Sequence, residues 1–219
     1  DIVLSWNVND DFADRFNLGS VASGDKPGST LSARMQAGEP AHADRAAMDR
    51  TVWYTWTAPA EGRFTVSAVY GNAQVVVDMY TGTTLSSLEV VPGREYVGGR
   101  HSLAACVTAG TTYQIAAASE DPTEFTLSFA LSTTPATLNA RVWAGQGDLE
   151  VNGAPVAQPY MGTFDPCETI ELRAVTATLG WKFLLWSGSV SSAENPVTFK
   201  LNGNAEVRAA FRECEVHTL

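Results

Sequence analysis

The stretch Arg63-Phe64-Thr65-Val66-Ser67-Ala68-Val69-Tyr70 carries the period of an extended chain. Positions 64, 66, 68 and 70 are apolar and fall on one face of an extended chain, with Thr65 and Ser67 opposite, as a strand with one wet face requires. Phe125-Thr126-Leu127-Ser128-Phe129-Ala130-Leu131 repeats that pattern, and Tyr113, Ile115 and Ala117 do so after the turn Ala109-Gly110-Thr111-Thr112. Helical periodicity is nearly absent, and the alternating segments are bounded by Gly, Pro, Asn and Asp. The fold class expected is all-β.

After Leu131 the polar stretch Ser132-Thr133-Thr134-Pro135-Ala136 carries a proline that restricts the chain and cannot donate to a ladder. A boundary is expected there, dividing the chain into 1–132 and 133–219. The second part reads as strands at Leu138–Trp143, Thr169–Val175, Trp181–Trp186, Pro196–Leu201 and Glu206–Phe211, with turns at Asn152-Gly153, Ser187-Gly188 and Asn202-Gly203. That makes a small sheet domain.

Composition limits function. The 219 residues are 45% hydrophobic and 17% charged, enough apolar surface to offset ordering entropy, so global disorder is excluded. Twenty-four acidic against fourteen basic residues give a net charge of −10, with both parts acidic and no Lys/Arg run. Nucleic acid and anionic membrane surfaces are therefore poor partners. No apolar stretch approaches the roughly 20 residues that span a bilayer. Asp1-Ile2-Val3-Leu4 lacks the basic start of a signal peptide, and the chain is expected to be soluble and already processed or trimmed.

Five segments carry a resemblance. Asn9-Asp10-Asp11-Phe12-Ala13-Asp14, Ala37-Gly38-Glu39-Pro40-Ala41-His42-Ala43, Val52-Trp53-Tyr54-Thr55-Trp56-Thr57-Ala58-Pro59, Val77-Asp78-Met79-Tyr80-Thr81-Gly82 and Ala109–Ile115 resemble, in order, the bacterial pre-peptidase C-terminal-like domain. The resemblance implies a β-sandwich of secreted bacterial proteins, often appended to peptidases, glycosidases and surface proteins, and not itself catalytic. Some collagen-binding relatives carry calcium near the N-terminal segment. The second part, through Thr169–Ala174, Gly180-Trp181-Lys182-Phe183-Leu184-Leu185-Trp186-Ser187-Gly188, Asn195–Phe199 and Ala205–Phe211, looks like a divergent internalin-type B-repeat domain of bacterial surface proteins. Cys167 and Cys214 depart from that repeat.

Catalytic motifs are missing: there is no Gly-x-Ser-x-Gly, no His-Glu-x-x-His and no phosphate loop, and His42, His101 and His217 are scattered. The expectation is no enzyme activity. Hard cations need several oxygens, and Asp10, Asp11 and Asp14 lie together before the first strand, either as a cation site or as turn caps facing solvent. With Glu39, which the resemblance could bring near them, they form the candidate calcium site. Six tryptophans suggest a sugar-binding platform, for which Trp53, Trp143 and Trp186 are the candidates. Alternation opposes Trp53 to Tyr54 and Trp56, and keeps Trp181 and Trp186 from both facing inward on a regular strand. Cys167 and Cys214, at strand ends of one small domain, are the expected disulfide. Closing that loop of about 47 residues stabilises by roughly 4 kcal/mol. Cys106, between Ala105 and Val107, is left as a buried thiol.

The expected function is that of a non-catalytic binding, adhesion or assembly module of an extracellular or cell-surface bacterial protein. Its partners are an extracellular protein, a glycan or copies of itself. The alternatives are accessory domains of a secreted peptidase or glycoside hydrolase, and a subunit of an extracellular filament or layer pairing through Ile2–Trp6. The long connection Ser20–Arg50, holding Glu39 and His42, is the place for a hidden site or a partner contact.

Overall fold

The computed structural model describes residues 9–44, 48–71, 73–97, 100–176 and 179–214. Ile2–Trp6 and His217 lie outside the described residues. The chain forms two compact units, Asp1–Ser132 and Thr133–Leu219, both built of β-strands.

In the first unit the strands are β1 (Phe16–Gly19), β2 (Ser23–Ser29), β3 (Arg50–Thr57), β4 (Gly62–Tyr70), β5 (Val75–Thr81), β6 (Glu89–Val90), β7 (Arg94–Val97), β8 (Arg100–Val107), β9 (Thr112–Ser119) and β10 (Glu124–Ser132). They make two five-stranded sheets, β1-β3-β9-β5-β6 and β2-β10-β4-β8-β7. Between the sheets lies one core, including Tyr54, Trp56, Val77 and Ile115 from the first and Phe64, Leu103, Leu127 and Phe129 from the second. This is a β-sandwich.

The two sheets differ in sequence for a physical reason. β4 and β10 alternate buried and half-buried residues because only one face is covered. β3, β5 and β9 are buried nearly throughout. Their second face is covered by the connection after β2, residues 30–44, which lies on it like a strap. Thr30 bonds Ser119 and Thr123, Ala33 enters the main core, and Glu39, His42 and Met48 are buried. Phe12, Trp53, Tyr80 and Ala116 form one small apolar cluster on that face, and Met48, Val76 and Ala118 form another.

The second unit contains β11 (Ala136–Ala144), β12 (Asp148–Val151), β13 (Ala154–Val156), β14 (Tyr160–Phe164), β15 (Thr169–Val175), β16 (Trp181–Gly188), β17 (Val197–Lys200) and β18 (Ala205–Glu213). The small sheet domain is built of two four-stranded sheets, β14-β11-β18-β16 and β13-β12-β15-β17, with Leu138, Val207 and Trp186 of one packed against Leu149, Ile170 and Leu172 of the other. Asn152 and Gly153, with φ of 50° and 77°, form the two-residue turn joining β12 to β13. A register shift between Phe183 and Leu185 changes the facing of β16, so Trp181 and Trp186 both pack on the core although regular alternation would separate them.

Candidate functional site

The strap buries a polar cluster against the first sheet. Trp53, on β3, donates its indole N–H to Glu39 Oε1 at 2.9 Å. His42 Nε2 faces Glu39 Oε2 at 3.5 Å, while His42 Nδ1 meets the Tyr80 hydroxyl at 3.0 Å and lies 3.6 Å from Asp78 Oδ2. Asp78 also accepts the Ala43 backbone N–H at 2.9 Å and a two-nitrogen contact from Arg94, on β7 of the opposite sheet. The side chains of Glu39, His42 and Asp78 are 0–1% exposed, and Trp53 and Tyr80 are fully buried.

Electrostatics follow from that burial. Desolvation alone would raise the Asp78 pKa, but hydrogen bonds from His42, Arg94 and the Ala43 amide, with the Arg94 charge, hold it at about 2. Burial pulls the His42 pKa down, yet hydrogen bonds to Asp78 and Glu39 and their charges outweigh it, and the net shift is upward. Burial and the Asp78 charge raise the Tyr80 pKa. A histidine between two carboxylates has the composition of a proton relay, but the hydroxyl beside it is a phenol made less acidic by its surroundings. A substrate needs an accessible reacting group, and the Glu39, His42, Asp78 and Tyr80 side chains do not reach solvent. The cluster is a clamp holding the strap to the sheet.

This clamp gives a pH signature. A histidine whose folded pKa exceeds 6.5 contributes stability below 6.5 and loses it as pH rises through the folded value. A carboxyl held at about 2 contributes above its unfolded 3.8 and loses that as pH falls toward 2. The cluster therefore contributes most between about pH 4 and 6.5. Unfolding at a series of pH values should show this, and His42→Gln should flatten the alkaline limb and also make the acid one shallower, because His42 helps hold Asp78 low.

The sequence candidates separate. Asp10 Oδ1 accepts the Arg34 backbone N–H at 2.7 Å, and its pKa is raised by partial burial and by Asp11 and Glu39 nearby. Asp11 and Asp14 are exposed, and the Glu39 carboxylate is turned into the clamp. Among the described residues no three His, Cys, Asp or Glu side chains converge on a point that would hold a metal ion. As placed, these four carboxylates do not fit the oxygen cage that calcium needs. Of the tryptophan platform, Trp53 is 0% exposed under the strap and Trp186 is 1% exposed in the second core, its indole N–H given to the Glu194 carbonyl at 2.9 Å. Neither can stack a ligand. Trp143 is 60% exposed.

The cysteines are also rearranged. Cys106 and Cys167 are disulfide-bonded, and Cys214 is a free, exposed thiol. The expected Cys167–Cys214 pair is therefore corrected: Cys167 is buried, whereas Cys214 stays at the surface beyond β18. Alternation had the missed signal for Cys106. Ala105 and Val107 face the core, which turns Cys106 to the outside of its sheet opposite Arg63. Alkylation of the unreduced protein should label Cys214 alone, with Cys106 and Cys167 labelled only after reduction, as peptide mass spectrometry can read.

Sequence reasoning left Asp78, Tyr80 and Arg94 without a role. Asp78 had a signal, as a lone charge in the otherwise apolar run Val75–Tyr80. Arg94 had none, because it reaches Asp78 only through the fold. A separate open cleft of about 660 Å³ lies at one end of the sandwich, lined by Phe16, Lys26, Tyr54, Tyr70, Glu124 and Phe125. The Lys26 ammonium there sits 3.8 Å from the centre of the Phe16 ring.

No protein-family model matches the chain, and no curated protein matches it. Among solved structures, the pre-peptidase C-terminal domain of collagenase from Bacillus anthracis aligns at 11% identity with a TM-score of 0.35, covering 52% of this chain and 93% of that chain.

Proposed function

We propose that the chain is a non-catalytic binding module of a secreted or cell-surface protein. The observation that carries this reading is the sealing of the Glu39–His42–Asp78–Tyr80 cluster: the side chains composed for proton transfer are spent on holding the strap. Disulfide-bonded Cys106 and Cys167 support an oxidising compartment outside the cytosol. Sites are grafted on common scaffolds, so the partner must be sought on exposed faces rather than inferred from the sandwich. The intact chain applied to an array of extracellular glycans and matrix proteins should show saturable binding to at least one class. Binding to nothing on the array, with hydrolysis of a substrate in solution, would overturn the reading.

A further inference from the structure

The chain has no basic run, but the second unit builds a basic face by strand pairing. Of its six Lys and Arg residues, four stand on the outer face of the sheet β14-β11-β18-β16: Arg141, Lys182, Arg208 and Arg212. Register sets them in two rows, Arg141 beside Arg208, and Arg212 beside Lys182. Four residue steps along β18 separate the rows, about 13 Å at strand rise. Between them lies an apolar ledge centred on Ala210, where both neighbouring strands shift register, placing Trp143 on one side and Leu184 and Leu185 on the other. Trp143 is 60% exposed, Leu184 41% and Leu185 37%.

Glu206, on the same face, is shared by Arg141 at 3.2 Å and Arg208 at 2.9 Å, one carboxylate against the two arginines of that row. A cavity of about 330 Å³, lined by Asn139, Arg141, Tyr160, Met161 and Glu206 among others, opens beside the first row. The outer face of the companion sheet is different: Arg173 there lies 3.6 Å from Glu150 and 4.0 Å from Glu171. Cations are thus concentrated on one face of an acidic protein.

We infer that this face, with Trp143 between the Arg141/Arg208 and Lys182/Arg212 rows, binds an extended anionic polysaccharide. Arginine forks match carboxylate and sulfate oxygens, and an open indole offers a flat apolar surface for a sugar ring between them. Nucleic acid fits less well, because its affinity comes from many phosphate contacts and this face offers four cations in two rows. The inference rests on the binding-module reading and names its ligand class.

The test uses the intact chain with dextran sulfate and polygalacturonate, and with neutral dextran, a DNA oligonucleotide and polyglutamate as comparisons. Both anionic polysaccharides should bind, more weakly as salt rises, and neutral dextran should not. Lys182→Gln/Arg212→Gln and Trp143→Ala should each weaken binding about tenfold or more. Arg173→Gln/Lys200→Gln removes the same charge from the same unit and should leave binding unchanged. Equal loss in the two double variants, no loss in Trp143→Ala, or equally tight binding of DNA or polyglutamate would overturn the inference, as would failure of both anionic polysaccharides to bind. Any of these results together with a positive glycan or matrix-protein array would remove this ligand class and leave the binding-module reading standing.

Discussion

Asp78→Ala should lower the unfolding free energy of the first unit by about 3–5 kcal/mol, the cost of breaking a buried ion pair from one side. The carboxylate receives Arg94, the Ala43 amide and the Tyr80 hydroxyl, and lies beside His42, so its loss leaves several buried polar groups without their acceptor. Holding its carboxyl at about 2 corresponds to roughly 2.5 kcal/mol at neutral pH, consistent with the lower end of that range. The Arg94 side chain is 29% exposed and can turn partly to water, which also favours the lower end. Chemical unfolding at neutral pH reads the effect. Hydrogen exchange should show residues 30–44 opening first, because the substitution severs the tether at Ala43 while the main core is untouched.

Trp186→Ala should cost the second unit about 3–5 kcal/mol, the range for removing a fully buried tryptophan. The side chain is 1% exposed, its ring centre is 5.1 Å from that of Phe183, and its indole holds the Glu194 carbonyl at 2.9 Å. Substitution removes core volume and frees a carbonyl at once. In hydrogen exchange resolved by peptide, segments from β11 to β18 should exchange faster while those of β3, β4 and β9 keep their protection. Equal loss of protection in both units would show that their cores do not act separately.

Much of the architecture is legible in alternation. The face of Arg63–Tyr70 forecast from periodicity is the buried face of β4, with 64, 66 and 68 inside. What alternation misreads has physical causes. β3 and β5 carry no clean period because the strap covers their second face, and this is why Trp53 is buried although it opposes Tyr54 and Trp56. Asp148–Val151, Ala154–Val156 and Tyr160–Phe164 are too short for their pattern to stand out, so these three strands go unread while at least two strands of each sheet are legible. Register shifts beside Ala210 change which residues face out on β11 and β16, and no local pattern announces them. The clamp was half legible, since Glu39 and His42 stood out as polar residues in a long connection, but their partners Asp78 and Arg94 come from distant strands. The basic face was not legible at all, because its four cations are spread over Arg141–Arg212 and meet only through pairing.

In the binding-module reading proposed above, the buried Glu39–His42–Asp78 group holds the strap on the sheet and performs no chemistry. The most direct test of this reading is a turnover assay of the purified intact chain on peptide, ester and glycoside substrates, run beside Glu39→Gln and His42→Ala. No turnover is expected in any of the three proteins, with the variants showing only lower stability and a looser strap. Turnover by the intact chain that disappears in Glu39→Gln or His42→Ala would contradict it.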